Sequence, residues 1–166
     1  MKEEEFSAAY ESFSDALFRH CYFRLYDREK SKDIVQEAFI KTWQYASKGV
    51  EIENTRAFLY KVLNNLIIDE IRKKKALSLE ILLEEGFQPI DNKEGRRSLE
   101  NFSDFKDLLK IIHKLEENKK NLLIMRYIDE LGPKEIAHIL GENENIISVR
   151  LNRAIKEVRE IFNNGR

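Results

Sequence analysis

Wound at 3.6 residues per turn, the segment from Glu144 to Phe162 sets Asn145, Ser148, Val149, Asn152, Arg153 and Lys156 on one side. The other side is apolar, with Ile147, Leu151, Ala154, Ile155, Val158 and Ile161. Amide and hydroxyl groups hydrogen-bond base edges in a nucleic-acid groove, whereas guanidinium and ammonium groups meet phosphates. The uncharged bonders come early in this helix and the cations later. Among them the methyls of Val149 suit a thymine methyl, although a lone exposed valine is commonplace.

The residues just before supply a way to hold that helix. In Pro133–Leu140, Ile136, Ala137, Ile139 and Leu140 face inward and Lys134, Glu135 and His138 outward. Pro133 suits a first helical turn, where its missing N–H costs nothing. Gly141 suits the left-handed residue of a tight turn. Ala137, Gly141 and Ile147 have the spacing of a helix-turn-helix, in which two helices cross closely over a small residue. Two packed helices with no further duty are the plainer alternative, and the outer face argues against it.

Two more faces carry chemistry. On a helix from about Thr55 to Lys75, Lys61, Asn65, Ile68 and Arg72 share one side, with Asn64 adjacent and Arg72-Lys-Lys-Lys75 at the end. Basic residues also cap a last helical turn. Asparagine, however, is a poor helix former that reads adenine edges well. On a helix from about Lys32 to Ser47, the side opposite the core holds Asp33, Gln36, Glu37, Ile40 and Gln44. A solvated face is the simpler account, and an apolar residue framed by acids and amides also makes a protein-contact patch.

Catalytic and metal chemistry find no support. The glycines are scattered, so there is no phosphate loop, and no spacing suggests a triad or a carboxylate pair. His20 and Cys21 lack partners that would complete a zinc site, and His113 and His138 stand alone. Tyr22, Tyr26 and Trp43 read as core residues. No catalytic residue, metal or cofactor is expected.

The elements that must position these faces are all helical. A first helix from about Phe6 to Tyr26 turns Phe13, Leu17, Phe18, Cys21, Tyr22 and Leu25 inward. The second, behind Ser31 as N-cap, uses Val35, Ala38, Phe39, Thr42, Trp43 and Ala46. The third uses Leu59, Val62, Leu63, Leu66 and Ile67. A second module has helices at about Asp104–Leu115, Lys119–Tyr127, Pro133–Leu140 and Glu144–Phe162. Between them, Gly86, Pro89 and Gly95 mark a linker with one short helix at Leu79–Glu85. The expected fold class is all-α, two small helical bundles joined by a flexible linker, with domains 1–78 and 104–166 and the linker 79–103.

Charged residues make up 36% of the chain, and no apolar stretch nears the length of a membrane span. The start, Met1-Lys-Glu-Glu-Glu5, lacks the apolar stretch of a secretion signal. The single Cys21 fits a reducing cytoplasm. The formal net charge is −1, awkward for a free-standing DNA binder, whose affinity comes mostly from neutralised phosphates. Its distribution is uneven. Arg56–Lys75 carries six basic and two acidic residues, Asn145–Arg166 five and two, and Leu79–Asp107 four and eight. Two basic modules flank an acidic connector.

Taken together, the chain resembles bacterial RNA polymerase sigma factors of the small, extracytoplasmic-function class. Asp33-Ile-Val-Gln-Glu-Ala-Phe-Ile-Lys-Thr-Trp43 is similar to that family's region-two signature, and Phe58 to Lys73 to the block that follows. Leu122–Tyr127, Glu135-Ile-Ala137, Leu140-Gly141 and Arg150-Leu-Asn-Arg-Ala154 are similar to region four. Three positions depart from the pattern: Phe58 where Trp is common, Asn64 where a basic residue is, and Val149 where Ser precedes the arginine.

The resemblance implies a dissociable transcription-initiation subunit and no covalent chemistry. Asp33, Gln36, Glu37 and Ile40 would dock on the clamp helices of the largest polymerase subunit, and the flap of the second-largest would be a further contact. Lys61, Asn64, Asn65, Asp69, Arg72 and Lys73 would meet the −10 promoter element. The loop around Lys48–Thr55, which has no aromatic residue, would capture a flipped base. Asn145, Ser148, Val149, Arg150, Asn152, Arg153 and Lys156 would read the −35 element. An anti-sigma factor is an implied partner. The alternative is a stand-alone helix-turn-helix regulator, from which the Asp33–Gln44 face would discriminate. Arg153 and Lys156 argue against a helical adaptor without nucleic acid.

Overall fold

The computed structural model describes residues 3–85, 110–112 and 114–164, with the backbone alone for 76–85. Two compact units divide the chain, 1–96 and 97–166. The described residues contain helices and no strand.

In the first unit, α1 (Glu3–Leu25), α2 (Arg28–Ser47) and α3 (Thr55–Glu85) each pack on the other two. Helix α1 closes where Tyr26 turns left-handed at φ 53° and its N–H bonds Tyr22 O at 2.8 Å. The next residue, Asp27, is extended, and its carboxylate accepts the Lys30 N–H at 3.0 Å. Asp27 is therefore the N-cap of α2, and the cap expected at Ser31 is corrected. Asp27 is the first side chain after the turn able to cap. Ser31 lies one turn inside, buried, its hydroxyl donating to Asp27 O at 2.6 Å.

The core joins Leu17 and Cys21 of α1, Ile34, Val35, Ala38 and Phe39 of α2, and Leu59, Tyr60, Leu63 and Ile67 of α3. Each large side chain buried there contributes about 1.5–3 kcal/mol. At one end Phe6 meets Trp43 and Phe39 edge-on, with ring centroids 4.9 and 6.0 Å apart. His20 is fully buried and packs edge-on against Tyr60 at 5.5 Å. It is thus a core histidine, and the described residues hold no His, Cys, Asp and Glu group that could bind a metal.

The inward stripe of α3 is rotated from the expected one. Tyr60 and Asn64 are buried, whereas Val62 and Leu66 are only half-buried. Helix α3 also does not end at Lys75. It runs on to Glu85 and takes in the short helix expected at Leu79–Glu85. Ala76-Leu-Ser-Leu-Glu-Ile-Leu-Leu-Glu-Glu85 consists almost wholly of good helix formers, and no breaker precedes Gly86. The rest of the expected linker lies outside the described residues, as does most of the helix expected at Asp104–Leu115.

In the second unit, α4 (Glu117–Tyr127), α5 (Pro133–Leu140) and α6 (Glu144–Asn164) pack mutually. Leu122, Ile124, Met125, Leu131, Ile136 and Ile147 are essentially inaccessible to solvent. Leu115, Leu123 and Ala154 form a further cluster, against which Ile155, Val158 and Ile161 pack. Among the described residues no helix is long and apolar enough to cross a membrane.

Burial pushes the Cys21 thiol up from 9.0 to about 11, with a bond to Ser31 and the Arg24 charge opposing. Below the lower value both folded and unfolded chains keep the proton. As pH rises, the unfolded thiol ionises first, so this contribution to stability is lost between 9.0 and about 11. The gap in urea midpoint between the wild type and Cys21→Ala is expected to narrow across that window. A constant gap would refute the burial account.

Candidate nucleic-acid interface

The pair α5 and α6 is framed by its turn. Glu135 Oε2 accepts the Gly132 N–H at 2.8 Å, closing the start of α5 over Pro133. Gly141 ends α5 at φ 68°, a left-handed conformation in which a side chain would be strained. Behind it the Glu142 N–H bonds Ala137 O at 2.9 Å. Asn143 then opens α6, its Oδ1 accepting the Asn145 N–H at 2.9 Å and its carbonyl the Ile147 N–H at 3.1 Å. Three residues thus separate two helices crossing over the buried Ala137, the geometry of a helix-turn-helix.

Ile147, Leu151 and Ala154 are buried, so the opposite side of α6 faces solvent. Asn145, Val149, Asn152, Arg153 and Lys156 are exposed and Ser148 is half-buried. Val149 is 48% exposed. Ile146 joins them at 52%. Sequence reasoning missed it, because an isoleucine directly before the core residue Ile147 also reads as apolar filling. Arg150 is half-buried and ion-paired, with Nη1 2.6 and 2.7 Å from the two carboxylate oxygens of Glu142.

On α3, Lys61, Asn65, Ile68, Asp69, Arg72 and Lys73 are all exposed. Arg72 lies 3.9 Å from Asp69 on the surface, too solvated a pair to immobilise either. Asn64 does not belong to this face, and its expected role as a −10 contact is corrected. It is 4% exposed, accepts from Arg24 Nη1 at 3.1 Å and donates to Tyr60 O at 3.0 Å. A buried arginine needs such an acceptor, and polarity alone does not reveal which asparagine of the pair supplies it.

On α2, Asp33, Gln36, Glu37, Ile40 and Gln44 are exposed on one side, with Ile40 at 54%. Lys41 reaches Glu37 at 3.1 Å. The loop 48–54 follows, turned by Gly49 at φ 82°. The loop itself has no aromatic residue, but Tyr45 before it and Phe58 after it bring their rings together, centroids 4.8 Å apart and 33° between planes. Tyr45 is 43% exposed. No signal within the loop could have revealed this pair, because the two rings come from the ends of separate helices.

Two family models match the chain: Sigma-70 region 2 over residues 9–77, and Sigma-70, region 4 over residues 105–158. The ECF RNA polymerase sigma factor SigW of Bacillus subtilis is 26% identical over 95% of this chain and 89% of its own length. RNA polymerase sigma factor SigV of the same organism is 28% identical over 86% and 82%. Among solved structures, the sigma factor RpoE of Bartonella quintana, in complex with the anti-sigma factor NepR, is similar at a TM-score of 0.72. That pair shares 19% identity over 98% of this chain and 99% of the other. CnrH in complex with the cytosolic domain of CnrY gives 0.72 at 17% identity, covering 99% and 92%.

The two adjacent asparagines of α3 make a direct test of the geometry. Asn64→Ala removes an acceptor from a buried guanidinium and should cost about 1–3 kcal/mol in urea denaturation. Asn65→Ala, on the exposed side, should stay within about 0.5 kcal/mol of wild type. Equal costs would contradict the inward placement of Asn64.

Proposed function

The chain belongs to the sigma-70 family of RNA polymerase sigma factors, in its extracytoplasmic-function class, and on that premise we propose how its faces divide the work. As an alternative sigma factor it joins core polymerase and directs promoter recognition and initiation. Such proteins are initiation factors, and bond-making belongs to the polymerase. The match to region 2 over residues 9–77 sets aside a stand-alone helix-turn-helix regulator.

The α2 face of Asp33, Gln36, Glu37 and Ile40 docks on the clamp helices of the largest subunit, and the second unit contacts the flap of the second-largest. The single observation that carries this assignment is Ile40, more than half exposed amid acids and amides. Lys61, Asn65, Asp69, Arg72 and Lys73 of α3 meet the −10 element as it opens. Tyr45, tilted over Phe58 beside the loop 48–54, offers a ring on which an unpaired base stacks. In α6, Asn145, Ser148, Val149, Asn152, Arg153 and Lys156 enter the major groove at the −35 element, with Arg150 at their edge. The uncharged residues near the helix start are suited to base edges and the cations behind them to phosphates.

The charge pattern supports the division. Each basic patch is small, and affinity scales with the phosphates neutralised. Held by the polymerase, the two patches act at high effective concentration on each other's DNA. The protein works in the cytoplasm, where the polymerase is. The anti-sigma factor bound to the Bartonella protein makes a partner of that kind the natural regulator here.

In-vitro transcription with core polymerase on a randomised promoter library is expected to yield specific start sites, and their absence would overturn the reading. The chain alone should bind the selected promoter poorly. Ile40→Glu should abolish binding to core polymerase while leaving thermal unfolding unchanged. Retained polymerase binding by that variant would remove the α2 face from the interface.

A further inference from the structure

The ion pair between Glu142 and Arg150 is unusual in its place. Its carboxylate stands in the turn that leads the second helix toward DNA, where it is repelled by phosphates whatever the sequence. Both side chains are about one-third exposed, at 34% and 33%. A pair so accessible adds little to stability, so stability does not account for an acid at this edge. What the pair does accomplish is orientation. Glu142 is itself fixed by its N–H bond to Ala137 O behind the left-handed Gly141. From that anchor its two oxygens hold one guanidinium nitrogen of Arg150 at 2.6 and 2.7 Å, eight residues along the chain.

We propose that Glu142 is a positioning residue for Arg150, fixing the direction in which that cation approaches DNA and cancelling its charge toward any other phosphate. A free arginine at this edge would swing to whichever phosphate is nearest, in every sequence alike. Held across the turn, it meets only an acceptor that the docked helix brings to it. Glu142 thereby lowers sequence-blind affinity and raises discrimination. The assignment rests on the reading of α6 as the reader of the upstream promoter element.

The test uses holoenzyme, core polymerase with the full chain, on duplex promoter fragments that the wild type selects from a randomised library. Binding is measured against salt concentration, for the selected sequence and for single base-pair changes in the upstream element. Glu142→Gln is expected to steepen the salt dependence by about one phosphate's worth. It should also cut the penalty for the most sensitive upstream change about tenfold, the scale of one good base contact. Glu142→Asp, which keeps the carboxylate, should restore the wild-type salt slope. In an Arg150→Gln background, Glu142→Gln should leave discrimination unaltered. If Glu142→Gln lowers the melting temperature but moves neither slope nor discrimination, the pair only staples the turn and the proposal is overturned. Loss of discrimination that persists without Arg150 overturns it too. Indifference of the wild type to the upstream base pairs would overturn the reading of α6 and this assignment together. Sensitivity of the wild type with an unchanged Glu142→Gln would overturn this assignment alone.

Discussion

Inside the first unit, Arg24 of α1 donates from Nη1 to Oδ1 of Asn64 on α3, across forty residues of chain. Both side chains are buried. A guanidinium withdrawn from water is tolerated only when its donors find acceptors, so the position of Asn64 is strongly constrained. With Asn64 inward, Tyr60 one turn before and Ile67 about one turn after also face the core. Lys61, Asn65, Ile68 and Arg72 then face solvent together. Rotating α3 by one residue would bury Asn65 and break up that side. The polar contact between helices and the buried stripe of α3 thus agree on which side that helix turns to solvent.

The second unit reaches the same end by apolar means. Ile147, Leu151 and Ala154 lock one side of α6 into the core, and the glycine turn sets the angle at which α5 meets it. Because dispersion and hydrophobic burial have little directional preference, the turn carries the directional information that Asn64 carries in the first unit. The two basic stretches are offset by acids elsewhere, so that the whole chain sums to −1.

Much of this was legible in the sequence. The bounds of α5 and the start of α6 follow from Pro133, Gly141 and a strong 3.6-residue period, signals that are local and chemically specific. The start of α2 was harder, because Asp27 and Ser31 are both competent caps and only the left-handed Tyr26 decides between them. The rotation of α3 was hidden for a related reason. Its stripe mixes Tyr60 and Asn64 with aliphatics, so a reading by hydropathy drifts toward Val62 and Leu66. The Tyr45–Phe58 contact and the Glu142–Arg150 pair depend on how helices meet, which periodicity does not encode. Ile146 failed in the opposite direction, as an apolar residue that the helix leaves outside.

The arrangement of α6 also bears on how such a protein changes over generations. The side chains that hold it in the fold, Ile147, Leu151 and Ala154, are separate from Asn145, Val149 and Asn152, which face outward. Exchanges at outward positions perturb folding by only about 0.5 kcal/mol. Selection can therefore exchange these outward residues without first meeting a folding barrier. Duplicated copies of such a gene can part ways on this outer side of α6 while their scaffolds stay the same.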